Sequence, residues 1–90
     1  MISAVQLHIK GRVQGVGFRY FAQDTAQELG LAGWVRNAPD GSVDAYAEGS
    51  REALEAWMSR LRQGPPLSKV EAIQPAWQTP QGSSTSFSIR

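Results

Sequence analysis

"GRVQGVGFRY", Gly11 to Tyr20, is the stretch in which this sequence changes its period. Upstream, Val5, Leu7 and Ile9 alternate with Gln6, His8 and Lys10, the pattern of a strand with one buried face. Downstream, Phe18, Phe21, Ala22, Thr25, Ala26 and Leu29 recur at helical spacing, with Gln23, Asp24, Gln27 and Glu28 on the other side. The change falls near Gly17, and Gly30 is placed to cap the helix at its far end.

Beyond that helix, "LAGWVRNAPDGSVDAYAEG" reads as two strands, Leu31 to Asn37 and Gly41 to Glu48. Ala38-Pro39-Asp40-Gly41 joins them as a type I turn, with Pro second and Gly last. Ser50 can cap a second helix whose apolar face is Ala53, Leu54, Trp57, Met58 and Leu61, and Gly64-Pro65-Pro66 stops it. Ser68 to Trp77 supplies a fourth strand, and Thr85 to Arg90 can add a short fifth through Phe87 and Ile89.

The order β-α-β-β-α-β predicts an α+β, ferredoxin-like sandwich: two helices on one face of a four-stranded antiparallel sheet, with a short extra strand. Right-handed crossovers and the hairpin between the second and third strands place the first and third side by side in the centre. Residues 1–90 read as a single domain, in which a chain this short buries about 60 to 65% of its extended surface.

Composition narrows the function. With 41% hydrophobic and 19% charged residues, the chain is apolar enough to fold. It has no cysteine, which excludes thiol catalysis, disulfides and thiolate metal sites. Nine Lys and Arg against eight Asp and Glu leave a net charge of +1, too little for broad capture of a nucleic-acid backbone. No apolar run matches a signal peptide or a membrane span, so a soluble cytoplasmic monomer is the expectation.

The glycine stretch carries the chemistry. No Ser, Thr, Asp or Asn stands at Gly15-Val16-Gly17 to cap the helix, and the earliest acid is Asp24. The free N–H groups of Gly15, Val16, Gly17, Phe18 and Arg19 therefore need another acceptor, and a phosphate is a physically apt one. Arg19 lies near the positive end of the helix, where a cation is disfavoured by up to about 1 kcal/mol unless an anion sits beside it. Glycine at 15 and 17 lets successive amides curve inward as a nest, and the guanidinium adds a planar fork for two phosphate oxygens. The stretch lacks both the dinucleotide motif and the Walker loop, so no nucleotide cofactor is expected.

Asn37, just before the turn, is an ordinary turn former, but its amide can also project towards the cradle and hold a water there. His8 reads as a sheet-surface residue, Asp40 as a turn residue, and Asp24 and Glu28 as a solvated helix face. No His, Asp and Glu cluster has metal-ligand spacing, so no metal is expected. The aromatics fall on apolar helix faces (Phe18, Phe21, Trp57) and on strands (Trp34, Tyr46, Trp77, Phe87).

Gly11, Val13, Gln14, Gly15, Val16, Phe18 and Arg19 resemble the G-x-V-Q-G-V-x-F-R signature of the acylphosphatases. Gly33, Trp34, Val35, Asn37, Asp40, Gly41 and Val43 resemble the family's G-W-V-x-N-x-x-D-G-x-V signature, one helix downstream. The resemblance extends from about Val5 to Arg90, with Asp44 departing conservatively from a frequent Glu. It implies the same ferredoxin-like fold and hydrolysis of the carboxyl–phosphate anhydride in small acyl phosphates, and leaves open whether a carbamoyl phosphate-like compound is used. By that resemblance Arg19 binds the phosphate, Asn37 orients the attacking water, and Gly15 to Phe18 line the cradle.

Two rival functions share this fold. An RNA-recognition module needs an exposed aromatic platform with basic flanks, whereas Tyr46 stands between Asp44 and Glu48. A non-catalytic, small-anion-binding regulatory domain explains a phosphate cradle without turnover, and fold alone does not separate it from an enzyme.

Overall fold

The computed structural model describes residues 2–82 and 85–90. Its elements are β1 (Ile2–Arg12), α1 (Phe18–Glu28), β2 (Ala32–Asn37), β3 (Val43–Ser50), α2 (Arg51–Gln63), β4 (Lys69–Gln78) and β5 (Phe87–Ile89). The expected order is present; most strand ends shift by one or two residues, and β1 begins at Ile2, three residues before the alternation that starts at Val5.

Local chemistry sets the boundaries. Ser50 accepts a hydrogen bond from the Ala53 N–H at 3.1 Å and caps α2, and Gly64 ends that helix. At the end of α1 the cap is Leu29, and Gly30 follows it with φ 71°. Gly30 N–H then donates to Gln27 O and Leu31 N–H to Ala26 O, the paired bonds of a Schellman ending. The hairpin turn closes with Gly41 N–H donating to Ala38 O at 3.2 Å, while Asp40 accepts from the Ser42 N–H at 3.0 Å.

The sheet order is β4-β1-β3-β2-β5. β1 lies between β3 and β4, antiparallel to both, with Val5 opposite Ala47 and Trp77, and Ile9 opposite Val43 and Ile73. β5 pairs with β2 in the parallel sense, Gly33 to Phe87 and Val35 to Ile89, which makes the sheet mixed.

Val5, Leu7, Ile9, Val35, Val43, Ala45 and Ala47 face the helices and meet Phe18, Ala22, Leu54, Trp57 and Leu61 in one buried cluster. Trp57 donates its indole N–H to Ala22 O at 3.2 Å, so the largest buried side chain also ties α2 to α1. Glu28 on α1 stays on the solvated face expected for it and there pairs with Arg60 of α2 at 2.6 Å.

On the sheet's other face, Tyr46 is 4% exposed and stacks on Trp34 at 6.3 Å between ring centroids. An RNA-stacking platform at this position is thereby filled by the protein itself. Glu48 accepts from the Tyr46 hydroxyl at 2.5 Å and from the N–H groups of Gln81 and Gly82 at 2.8 and 3.0 Å. These bonds strap the segment after β4 across the open face.

The Tyr46 hydroxyl, followed by those two amides, holds the Glu48 carboxyl below the usual glutamate range against the opposing effect of burial. A folded-state pKa below the unfolded one contributes stability that is complete above about pH 5 and is lost as pH falls through the folded value. The difference in Tm between wild type and Glu48→Gln should therefore be constant above that pH and shrink in acid. A difference that grows on acidification would contradict this role for the carboxylate.

Candidate active site

The β1–α1 connection is a loop of bends between a strand end and a helix without a side-chain cap. Gly15 has φ 74° and Gly17 φ 78°, both left-handed, and neither position has an atom within 4 Å of where a Cβ would stand. These glycines are needed for backbone direction and open access, since packing does not exclude a side chain. Val16 between them is half-buried and packs against the edge of the core, which anchors the loop.

The first acceptor met by the amides of this segment is Gly17 O, which takes the Phe21 N–H at 3.0 Å. The N–H groups of Gly15, Val16, Gly17, Phe18 and Arg19 have no backbone acceptor among the described residues. The first turn of α1 contains no acid. Arg19 projects from that turn, half-buried, and forms no ion pair among the described residues. Free donors, the positive helix end and a guanidinium thus occur together, an arrangement chemically suited to a phosphate oxyanion.

Asn37 ends β2 opposite Val43. What brings its turn to the cradle loop is Gln14, whose amide nitrogen donates to Ala38 O and to Ser42 O, both at 2.8 Å. One side chain therefore joins the residue before Gly15 to both arms of the turn after Asn37. This positioning role was missed in the sequence, where Gln14 appeared only as a motif letter. Its bonds span 24 and 28 residues, and no local pattern reports them.

On the other flank of the turn, Lys10, Gly11, Asp40, Gly41 and Ser42 line an open cleft of about 380 Å³. The cleft exists because β1 and β3 stop pairing at Ile9 and Val43 and then diverge.

His8 lies on the open sheet face, as expected, with Nδ1 2.7 Å from Asp44 Oδ1 and Nε2 3.5 Å from Asp40 Oδ2. Asp44 also receives Arg36 at 3.5 Å. Asp40 keeps its turn role, and its carboxyl is held below the usual range by the Ser42 hydroxyl and amide. Among the described residues no group of three or more His, Asp or Glu is arranged to hold a metal ion. No helix among them is long and apolar enough to cross a membrane.

The acylphosphatase family profile matches residues 5–89. An acylphosphatase of Thermus thermophilus is 56% identical over 69 residues, covering 77% of this chain and 78% of the relative. One from a Nocardioides species is 48% identical over 90 residues, 100% of this chain and 90% of the relative. The crystal structure of the acylphosphatase from Bacillus subtilis superposes with a TM-score of 0.95 at 41% identity, covering 100% and 99% of the two chains.

Proposed function

Since the chain belongs to the acylphosphatase family and is a hydrolase of acyl phosphates, we propose that Arg19 and the amides from Gly15 to Arg19 hold the phosphoryl group while Asn37 positions the attacking water. The observation that carries this reading is the uncapped start of α1, with left-handed Gly15 and Gly17 before an Arg19 that has no ion-pair partner among the described residues. The substrate is a small acyl phosphate, and the working unit is a single monomeric domain.

In the reaction, a water oxygen attacks phosphorus as the bond from phosphorus to the acyl oxygen breaks. The carboxylate departs with the bonding electron pair, and both water protons end on inorganic phosphate. A carboxylate is a weak base, so the leaving group needs no strong general acid. Charge on the equatorial oxygens meets main-chain N–H groups and a guanidinium already in place, so catalysis is largely electrostatic preorganisation. The Asn37 amide orients the water but takes no proton. A phosphate oxygen of the substrate accepts it.

Gln14 supports both halves by fixing the distance between the cradle loop and the turn. His8, engaged with Asp44 and Asp40, has no part in these steps.

The test is hydrolysis of benzoyl phosphate in buffer treated with chelator. Turnover well above the spontaneous rate is expected, and prior removal of divalent metal should leave it unchanged. Binding of inorganic phosphate with no turnover above background would instead identify an anion-binding regulatory domain.

A further inference from the structure

His8 stands between two carboxylates. Its Nδ1 lies 2.7 Å from Asp44 Oδ1 on the neighbouring strand, and its Nε2 lies 3.5 Å from Asp40 Oδ2 in the turn after Asn37. Both ring nitrogens therefore face acceptors. A neutral imidazole has one N–H, so it satisfies one carboxylate and turns a lone pair on the other, whereas the imidazolium satisfies both. The bond to Asp44 is the shorter, and it joins residues directly opposite one another in the β1–β3 register. The contact that lapses when the ring loses its proton is thus the longer one, to Asp40.

The other groups around the ring do not replace that proton. Gln6 and Lys10 share its face of β1, and Lys10 lines the cleft beside Asp40. β4 places the uncharged Gln74 directly opposite. β3 adds Tyr46, whose hydroxyl is given to Glu48, and Arg36 of β2 reaches Asp44 at 3.5 Å. Asp40 stays ionised, since the Ser42 hydroxyl and then its amide hold the carboxyl below the usual range. The His8 side chain is 33% exposed, so solvent can supply and remove the proton.

Asp40 connects this pair to the site. Its Oδ1 accepts from the Ser42 amide and hydroxyl while its Oδ2 faces His8. Ser42 O in turn accepts from the Ala38 N–H and from the Gln14 side chain. The turn after Asn37 is therefore held at two points, by Gln14 through main-chain carbonyls and by His8 through the turn's single acidic side chain. The second hold alone depends on a proton.

We infer that His8 is a positioning residue whose imidazolium, oriented by Asp44, anchors Asp40 and with it the turn that sets the Asn37 amide. The inference rests on the reading of Asn37 given above and adds its regulation by protons. His8 touches no reacting atom. The attacking water is held best when the ring is charged, so turnover falls as pH rises through the ring's titration, while the cradle keeps its grip on the phosphoryl group.

The chain has one histidine, so its Cε1 proton resonance reports the ring's titration directly. Benzoyl phosphate hydrolysis, corrected for the spontaneous rate, is followed from about pH 5 to 8 on wild type, His8→Gln, Asp40→Asn and Asn37→Ala. The ratio of kcat in wild type to kcat in His8→Gln cancels titration of the substrate. It should be about three in acid, the scale of an exposed ion pair, and fall to about one, with the midpoint of the resonance. KM should differ between the two by less than about twofold throughout. Asp40→Asn should follow His8→Gln, because asparagine still accepts from Ser42 but offers the ring no charge. Asn37→Ala should show no step at that midpoint, because the amide that the turn sets is gone.

A kcat ratio that is constant with pH, or that changes at another midpoint, overturns the inference and leaves the acyl phosphate reading standing. So does a step carried by KM, or one that survives in Asn37→Ala. If His8→Gln does not fold, a wild-type kcat that stays flat across the histidine titration overturns it alone. Full turnover in Asn37→Ala overturns the reading of Asn37 and the inference together.

Discussion

Arg19→Ala is expected to lower kcat/KM for benzoyl phosphate by about a thousandfold, the scale on which removal of a transition-state anion partner is felt in a preorganised site. It should also weaken competition by inorganic phosphate, because the guanidinium is needed for the ground-state anion as well as for the charge that develops. Asn37→Ala makes the contrast. With the cradle and Arg19 intact, it should reduce kcat by about a hundredfold while phosphate inhibition changes by less than about threefold. Arg19→Lys should recover little, since an ammonium does not reproduce the planar fork. Equal losses of phosphate affinity in Arg19→Ala and Asn37→Ala would remove the division of labour between the two residues.

The second large effect belongs to a residue remote from the chemistry. Gly33 lies in β2 with φ 155°, between β3 on one side and β5 on the other. A Cβ at this position would overlap the Tyr46 carbonyl oxygen and come within 2.8 Å of Ala47 Cα, both of them backbone. Unlike a flexible side chain, backbone in a paired strand has nowhere to retreat. Gly33→Ala should therefore prise β2 from β3 and cost on the order of 4 kcal/mol or more. In a domain of this size that lowers Tm by roughly 20 °C or more and leaves a substantial unfolded fraction. By contrast, Gly15 and Gly17 have open space where a side chain would stand, so alanine there should affect the site before it affects the fold. A Gly33→Ala protein melting within about 5 °C of wild type would show that the close approach is not required.

The parts of this molecule that were legible in its sequence are those written in local chemistry. The alternation of Val5, Leu7 and Ile9, the helical spacing from Phe18 to Leu29, the Ser50 cap and the Pro39-Asp40-Gly41 turn each act over a few residues. The uncapped start of α1 was legible for the same reason, as an expected partner missing within four residues. Features set by contacts distant in sequence were not. The parallel seat of β5 on β2 depends on Gly33 N–H reaching Ser86 O, and Glu48 becomes a strap only when Gln81 and Gly82 fold back over it. Gly33 and Gln14 stood inside recognisable motifs, but their reasons, a backbone clash and a pair of carbonyls, exist only in three dimensions.

The link from Gln14 to the carbonyls of Ala38 and Ser42 also bears on modularity. A peptide copied from the glycine loop, or that loop grafted onto another sandwich of the same topology, would acquire the donors without the clamp that ties them to the turn after Asn37. Transplanting the activity would take both segments together with the Ile9–Val43 register that sets their spacing. A single-residue insertion between Asn37 and Ser42 should therefore inactivate such a graft while leaving its sheet intact.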